Sequence, residues 1–225
     1  MRWELDAVAV SGAHSLLLRP TSLALCDGQV QLAVGPAGAG HTALALAAAG
    51  RIKPSFGRVL LDDVEAPAAL RRAVAIVDAP GVSEPDDALP LATVIGEELA
   101  MARLRAGRGA VAEWLADRDA AEYARTRYEE VPAPVRLRLM TELAAARPGV
   151  RALVLTAPDR HGIPPAVWWH IACIHAEHGL AVLVTAQEIA GALLDAAPAL
   201  IGGADPGRPT TVAPVSSTTD ERSGS

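Results

Sequence analysis

The sequence predicts an α/β fold with a mainly parallel sheet and an inserted block of helices. Short apolar strands alternate with helical segments along the chain, the pattern of strands joined by helical crossovers. A glycine-rich loop leaves one strand and opens one helix, and the stretch 92–128 is helical without a strand of its own.

Leu23 to Val34 reads as strand, turn, strand, with Cys26-Asp27-Gly28 as the turn. In the second strand Val30, Leu32 and Val34 alternate with Gln31 and Ala33, the period of a strand. Residues 43–49 form an alanine- and leucine-rich helix that Gly50 stops. Lys53-Pro54-Ser55-Phe56-Gly57 turns the chain into strand 58–62. Residues 73–77 are a short buried strand, and 80–92 a loop rich in Pro, Gly and acids. The helical block points Leu99, Ala102 and Leu115 inward and breaks at Gly107-Arg108-Gly109. Helix 135–147 is entered through Pro132 and Pro134, and strand 152–155, helix 165–178 and strand 180–185 follow. The expected organisation is one domain over 1–202, its helical subdomain at about 80–147, and a disordered tail over 203–225 rich in Pro, Ser, Thr and Gly.

The formal charge of −6 excludes a general nucleic-acid surface, because neutralising phosphates needs a basic balance. Cys26 and Cys173 are too few and too far apart for a disulfide framework, so a reducing cytosol is expected. The start of the chain carries Glu4 and Asp6 where a signal peptide would be apolar. Gly, Pro or charge interrupts every apolar run before it could span a bilayer. Any membrane role is therefore expected to be peripheral, on the inner face.

The glycine loop reads Gly35-Pro36-Ala37-Gly38-Ala39-Gly40-His41-Thr42, against the phosphate-binding pattern G-x-x-x-x-G-K-[ST]. Every position fits except His41, where the lysine that grips the phosphates would stand. The only lysine in the chain is Lys53, beyond the following helix. Gly35, Gly38, Gly40, His41 and Thr42 are the candidate nucleotide-binding residues. Gly38 and Gly40 also have a plain structural use, since a tight strand-to-helix turn needs their backbone freedom.

From about residue 3 to 202 the order of elements resembles the ATP-binding cassette (ABC) ATPases. Gly28-Gln29, the glycine loop, Gly50-Arg51 and Pro54-Ser55-Phe56-Gly57 repeat that family's layout. The resemblance implies a P-loop NTPase-like ABC core with an inserted helical subdomain. The family's working residues are changed, however. Its glutamine that helps hold magnesium and water aligns with Ala79, or with Asp78 after a one-residue shift. Its signature Leu-Ser-Gly-Gly-Gln aligns with Val131-Pro132-Ala133-Pro134-Val135, followed by Arg136 and Arg138. Its acidic pair after the Walker B strand aligns with Thr156-Ala157 before Pro158, and Asp159 is displaced past that proline. Its switch histidine aligns with Ala186, and its adenine-stacking aromatic falls near Ser11.

Phosphoryl transfer relies on positioning and on charge neutralisation by lysine and Mg²⁺. A neutral histidine, with an ordinary pKa of ~6.5, is a short and weak substitute. Each charged hydrogen bond lost costs roughly 1.5–3 kcal/mol. The expectation is therefore a chain with no catalytic residue and no resident cofactor, with ATP and Mg²⁺ entering only if the altered loop still binds them. By resemblance it would be a catalytically silent cytoplasmic subunit or scaffold on an integral membrane transport-type partner. It could pair as a homodimer or as a heterodimer with another ABC ATPase. The competing reading is a subunit that still binds MgATP and supports transport.

His170, Cys173, His175 and His178 crowd one helix and invite a metal reading. The two pairs they form are offset around the helix, and a metal shell usually draws ligands from more than one element. Protonated histidines favoured by a helix C-terminus are the better explanation, so no metal is expected. Trp168 and Trp169 adjoin them, one expected in the core. The acidic run Glu84-Pro85-Asp86-Asp87 is expected to be a solvated loop, with partner docking as its alternative.

Overall fold

Two sheets face each other across a single layer of helix, and the glycine loop lies at the seam. The structure, a computed structural model, describes residues 1–187, 194, 197–203 and 205–214. The first sheet is antiparallel, order β2-β1-β4, from β1 (Arg2–Ser11), β2 (Leu16–Cys26) and β4 (Phe56–Leu61). The second contains β3 (Gln29–Val34), β5 (Val74–Val77), β6 (Ala152–Thr156), β7 (Ala181–Ala186) and β8 (Ala199–Leu200) in the order β5-β6-β7-β3-β8, all parallel. The short β9 (Thr210–Thr211) adds antiparallel to the start of β3.

The helices are α1 (His41–Ala48), α2 (Pro67–Ala73), α3 (Leu91–Met101), α4 (Arg108–Ala116), α5 (Ala133–Ala145) and α6 (Pro165–Glu177). Alternation in the strands decides which helix covers which face. Val30, Leu32 and Val34, with Ala75, Val77, Leu153, Leu155, Val182 and Val184, pack against α3, α4, α5 and α6. Ala33, Val74, Ile76, Val154 and Leu183 point the other way, onto α1 and the antiparallel sheet. A strand buried on both faces reads as a continuous apolar run, which is how 152–155 and 181–184 read. Leu99, Ala102 and Leu115 are buried as the helical pattern required. Trp168 is fully buried beside the half-buried Trp169.

Three sequence expectations need correction. The helical stretch to residue 128 ends early: after α4 come only 3₁₀ turns at Ala121–Tyr123 and Tyr128–Glu130. β1 and α2 were not anticipated. The apolar alternation of β1 is Trp3 and Leu5, then Val8 and Val10; a bulge at Ala7, φ 47°, shifts the register between them. Lastly, part of the expected tail belongs to the sheet. Thr210 and Thr211 pair with Val30 and Gln29, Arg208 N–H donates to the Ala197 carbonyl, and Val212 N–H to that of Gly28. A two-residue strand is too short to show a period. Residues 204 and 215–225 of that expected tail lie outside the described residues.

Candidate functional site

The glycine loop forms where β3 stops at the carboxyl edge of the parallel strands, the edge at which open α/β sheets place their ligands. Gly35 N–H donates to the Ala186 carbonyl at 3.1 Å, tying the loop's start to the end of β7. Gly40 sits in the left-handed region at φ 105° as the residue before α1. A Cβ there would collide with the Leu17 carbonyl oxygen, so both backbone angle and space demand glycine. Gly35 is also space-limited, since a Cβ would come within 2.8 Å of Ala39 Cβ. Gly38 is held only by its φ of 84° and faces open space.

Among the described residues, the amides of Gly38, Gly40, His41 and Thr42 have no acceptor within the chain, while Ala39 N–H is spent on the Pro36 carbonyl. Free amides at a helix N-terminus suit an anion. His41 turns back into the loop, its Nε2 lying 3.2 Å from the Gly35 carbonyl oxygen and 3.3 Å from that of Pro36. Two acceptors place the proton on Nε2, and Nδ1 is buried without a partner.

The loop opens into a cleft of about 440 Å³ lined by Leu17, Gly38, Gly40, His41, Thr42, Ala43, Leu46, Ile52, Pro80, Thr156 and Ala157. Among the described residues the polar side chains on that wall are His41, Thr42 and Thr156, and Thr156 Oγ1 is buried without a partner there. Among the described residues no carboxylate, lysine or arginine lines it. Leu17, Leu46, Ile52 and Pro80 were not singled out from the sequence, because nothing in an isolated aliphatic residue marks it as a wall.

The neighbouring acids are engaged elsewhere. Asp78, held at φ 56°, accepts from Arg160 Nη2 at 3.0 Å and from His161 Nε2 at 2.8 Å. Arg160 also donates to the Thr156 carbonyl at 2.9 Å and to Glu84 at 2.8 Å. Glu84 is therefore part of a network rather than a freely solvated loop. Desolvation pushes its pKa up, but the Gly81 amide and Arg160 outweigh this and leave it below the ordinary carboxylate value. Asp159 turns to the Gln187 N–H at 2.9 Å.

Comparison with known proteins places this architecture. A nucleotide-free ATP-binding cassette from an ABC transporter superposes with a TM-score of 0.60 at 14% identity, covering 84% of this chain and 83% of that one. An ABC transporter ATP-binding protein from Pyrococcus furiosus gives 0.59 at 15% identity over 84% and 92%. The chain has the fold of an ATP-binding cassette. In sequence, a Salmonella typhimurium protein named for ATP binding in 2-aminoethylphosphonate import, PhnT, is 36% identical over 61 residues, 27% of this chain. That match spans about 16% of the relative's length. No protein-family model matches the chain.

Within the cassette fold, the chain's residues do not fit a magnesium-bound nucleotide well. The loop amides suit phosphate, but the end of β6 carries Thr156 and Ala157 and no acid, so among the described residues the cleft offers a metal shell only the hydroxyls of Thr42 and Thr156. α5 is capped by Pro132 and has Pro134 in its first turn, and neither has an N–H. Val135 and Arg136 N–H both bond the Pro132 carbonyl, leaving Ala133 as the one free amide there among the described residues. Ala186 ends β7 fully buried, and Ser11 Oγ bonds Ser55 Oγ at 3.0 Å.

No group of three or more His, Cys, Asp or Glu among the described residues could hold a metal ion. His170, His175 and His178 instead line an apolar groove between α5 and α6. Burial, then the neighbouring His178, lowers the His175 pKa to about 4, so that residue is neutral at pH 7 and the protonated-helix-end explanation does not extend to it. His178 Nδ1 donates to the Ile174 carbonyl at 2.7 Å near the helix end. Burial and Glu177 raise the pKa of Cys173, as in an inert thiol.

Proposed function

We propose that the chain is a catalytically silent ATP-binding-cassette-type subunit that keeps the cassette shape for docking onto an integral membrane transport-type partner. The observation that carries this is the uncharged cleft: the loop histidine faces its own carbonyls, and among the described residues no carboxylate lines the opposite wall. A γ-phosphate there would meet neither a lysine nor a magnesium shell, so the electrostatic stabilisation that phosphoryl transfer depends on is missing. No helix among the described residues is long and apolar enough to cross a membrane. That suits a peripheral subunit on the cytoplasmic side, paired as a homodimer or with another ABC ATPase. MgATP turnover by the purified chain, alone and with an intact cassette ATPase, tests the reading. Turnover above a Thr42→Ala, His41→Ala control overturns it.

One observation favours the competing reading, an ATP-binding subunit that still binds MgATP and supports transport. The amides of Gly38, Gly40, His41 and Thr42, without an acceptor among the described residues, remain in place at the start of α1. Calorimetry with millimolar MgATP separates the two. Ligand at about a hundred times its Kd adds ~2.7 kcal/mol of stability, so binding must also raise the melting temperature.

A further inference from the structure

A second cavity, of about 470 Å³, opens at the other end of α1, between the turn at 50–54, β4 and α2. An eight-residue helix is ~12 Å long, so this cavity lies about a helix length from the glycine loop and shares only Ile52 with the cleft there. Its charged lining is Arg51, Lys53, Arg58 and Arg71 against the single carboxylate Glu65, in a chain of net charge −6. Arg58 is paired with Asp6 at 3.2 Å. Among the described residues, Arg51, Lys53 and Arg71 have no carboxylate within 4.0 Å.

Two of these cations have a structural use. Arg51 Nη1 donates to the Val74 carbonyl at 3.0 Å, and Arg71 Nη1 to that of Gly50 at 3.0 Å. Carbonyls at a helix C-terminus attract cations, so capping accounts for one nitrogen of each. Among the described residues it leaves Nη2 and Nε of both guanidiniums without an acceptor and does not account for Lys53. The crowding also has a cost. Burial first, then repulsion from Arg147 and Arg71, depresses the Arg51 pKa.

We propose that this cavity binds a small anion carrying two or more phosphoryl groups. Guanidinium forks match phosphate oxygens two at a time, and Lys53 adds a movable point charge. Ile52, Pro54, Val59 and Leu70 form an apolar wall that admits an uncharged body attached to the phosphates. The ligand chemistry is shared by inorganic polyphosphates and by phosphorylated metabolites. The site is independent of whether the glycine loop binds nucleotide.

The test is calorimetric titration of the full chain with inorganic tripolyphosphate, and with magnesium-free ADP, at low salt. Three variants accompany it. Lys53→Gln removes a side chain with no hydrogen bond among the described residues, Arg71→Gln keeps a donor for the Gly50 carbonyl, and Gly38→Asp puts a carboxylate into the glycine loop. The site predicts saturable binding that Lys53→Gln and Arg71→Gln each weaken about tenfold, while Gly38→Asp changes it less than twofold. Tighter ADP than tripolyphosphate assigns the apolar wall to an organic body, and the reverse assigns the site to inorganic polyphosphate. Binding lost in Gly38→Asp, binding unaffected by Lys53→Gln and Arg71→Gln, or no binding of either probe at millimolar concentration overturns the proposal.

Discussion

The imidazole Nε2 of His41 points at the carbonyl oxygen of Gly35, 3.2 Å away, across the loop that both residues build. The side chain that should reach outward to a phosphate is spent on closing its own cradle. For His41 itself to reach a bound anion, the ring would have to swing out and leave the Gly35 and Pro36 carbonyls to water.

His41→Lys tests that competition. A lysine has the reach and the fixed charge, and a charged hydrogen bond contributes roughly 1.5–3 kcal/mol, so MgATP affinity rises by about tenfold or more. Turnover does not follow, because Thr156 and Ala157 still offer no carboxylate. Calorimetry reads the first effect and a phosphate-release assay the second. Unchanged affinity would place the defect in the cleft walls rather than in the loop.

Gly40→Ala is destabilising whatever the loop binds. Its φ of 105° and the Leu17 carbonyl against the missing Cβ act together, and strain of this kind costs of order 1–3 kcal/mol. The urea midpoint falls without a change in slope. Gly38→Ala, with φ 84° but open space, loses only the conformational part, so the difference between the two measures the collision with β2.

Acid weakens the fold through His175. Its folded pKa, about 4, lies below the unfolded value of ~6.5. The unfolded chain therefore takes up the proton first. Its contribution is intact above pH 6.5 and is lost as pH falls from there toward 4. The full span is worth ~3 kcal/mol. His175→Gln flattens the stability profile in that window and leaves it parallel to the parent above pH 7. A parallel loss of stability across pH 4–7 in both proteins would remove His175 as the cause.

Layout was legible in the sequence where residues repeat with a period or where glycine is obligatory. Val30, Leu32 and Val34, the Gly35–Thr42 loop, and the doubly buried strands β6 and β7 all fall in that class. β1 escaped because the bulge at Ala7 breaks its alternation, and β8 and β9 because two residues carry no period. The losses at the site were equally visible, since a missing lysine or acid is a fact of composition at a given spacing. What replaced them was not. Asp78, Glu84, Arg160 and His161 come from three segments, and only the fold shows that they converge.

That convergence yields the last prediction. Arg160 binds both the carbonyl and the carboxylate of Asp78, the Thr156 carbonyl and Glu84. It thereby ties the end of β5, the end of β6 and the loop at 80–90 into one unit. Asp78 is mostly buried, with a side chain 13% exposed, and Arg160 is 21% exposed. Removing one member of such a group leaves charge and carbonyls without partners, a loss of roughly 3–5 kcal/mol when burial is complete and about 2–3 kcal/mol at this exposure. Arg160→Ala should therefore lower the melting temperature and speed amide exchange over residues 79–90, while β3 and β7 exchange as before. Arg160→Lys keeps the charge but cannot reach four acceptors with one nitrogen, so it recovers only part of the stability. Uniform acceleration of exchange across the chain would mean that the network stabilises the whole domain and does not fix that loop in particular.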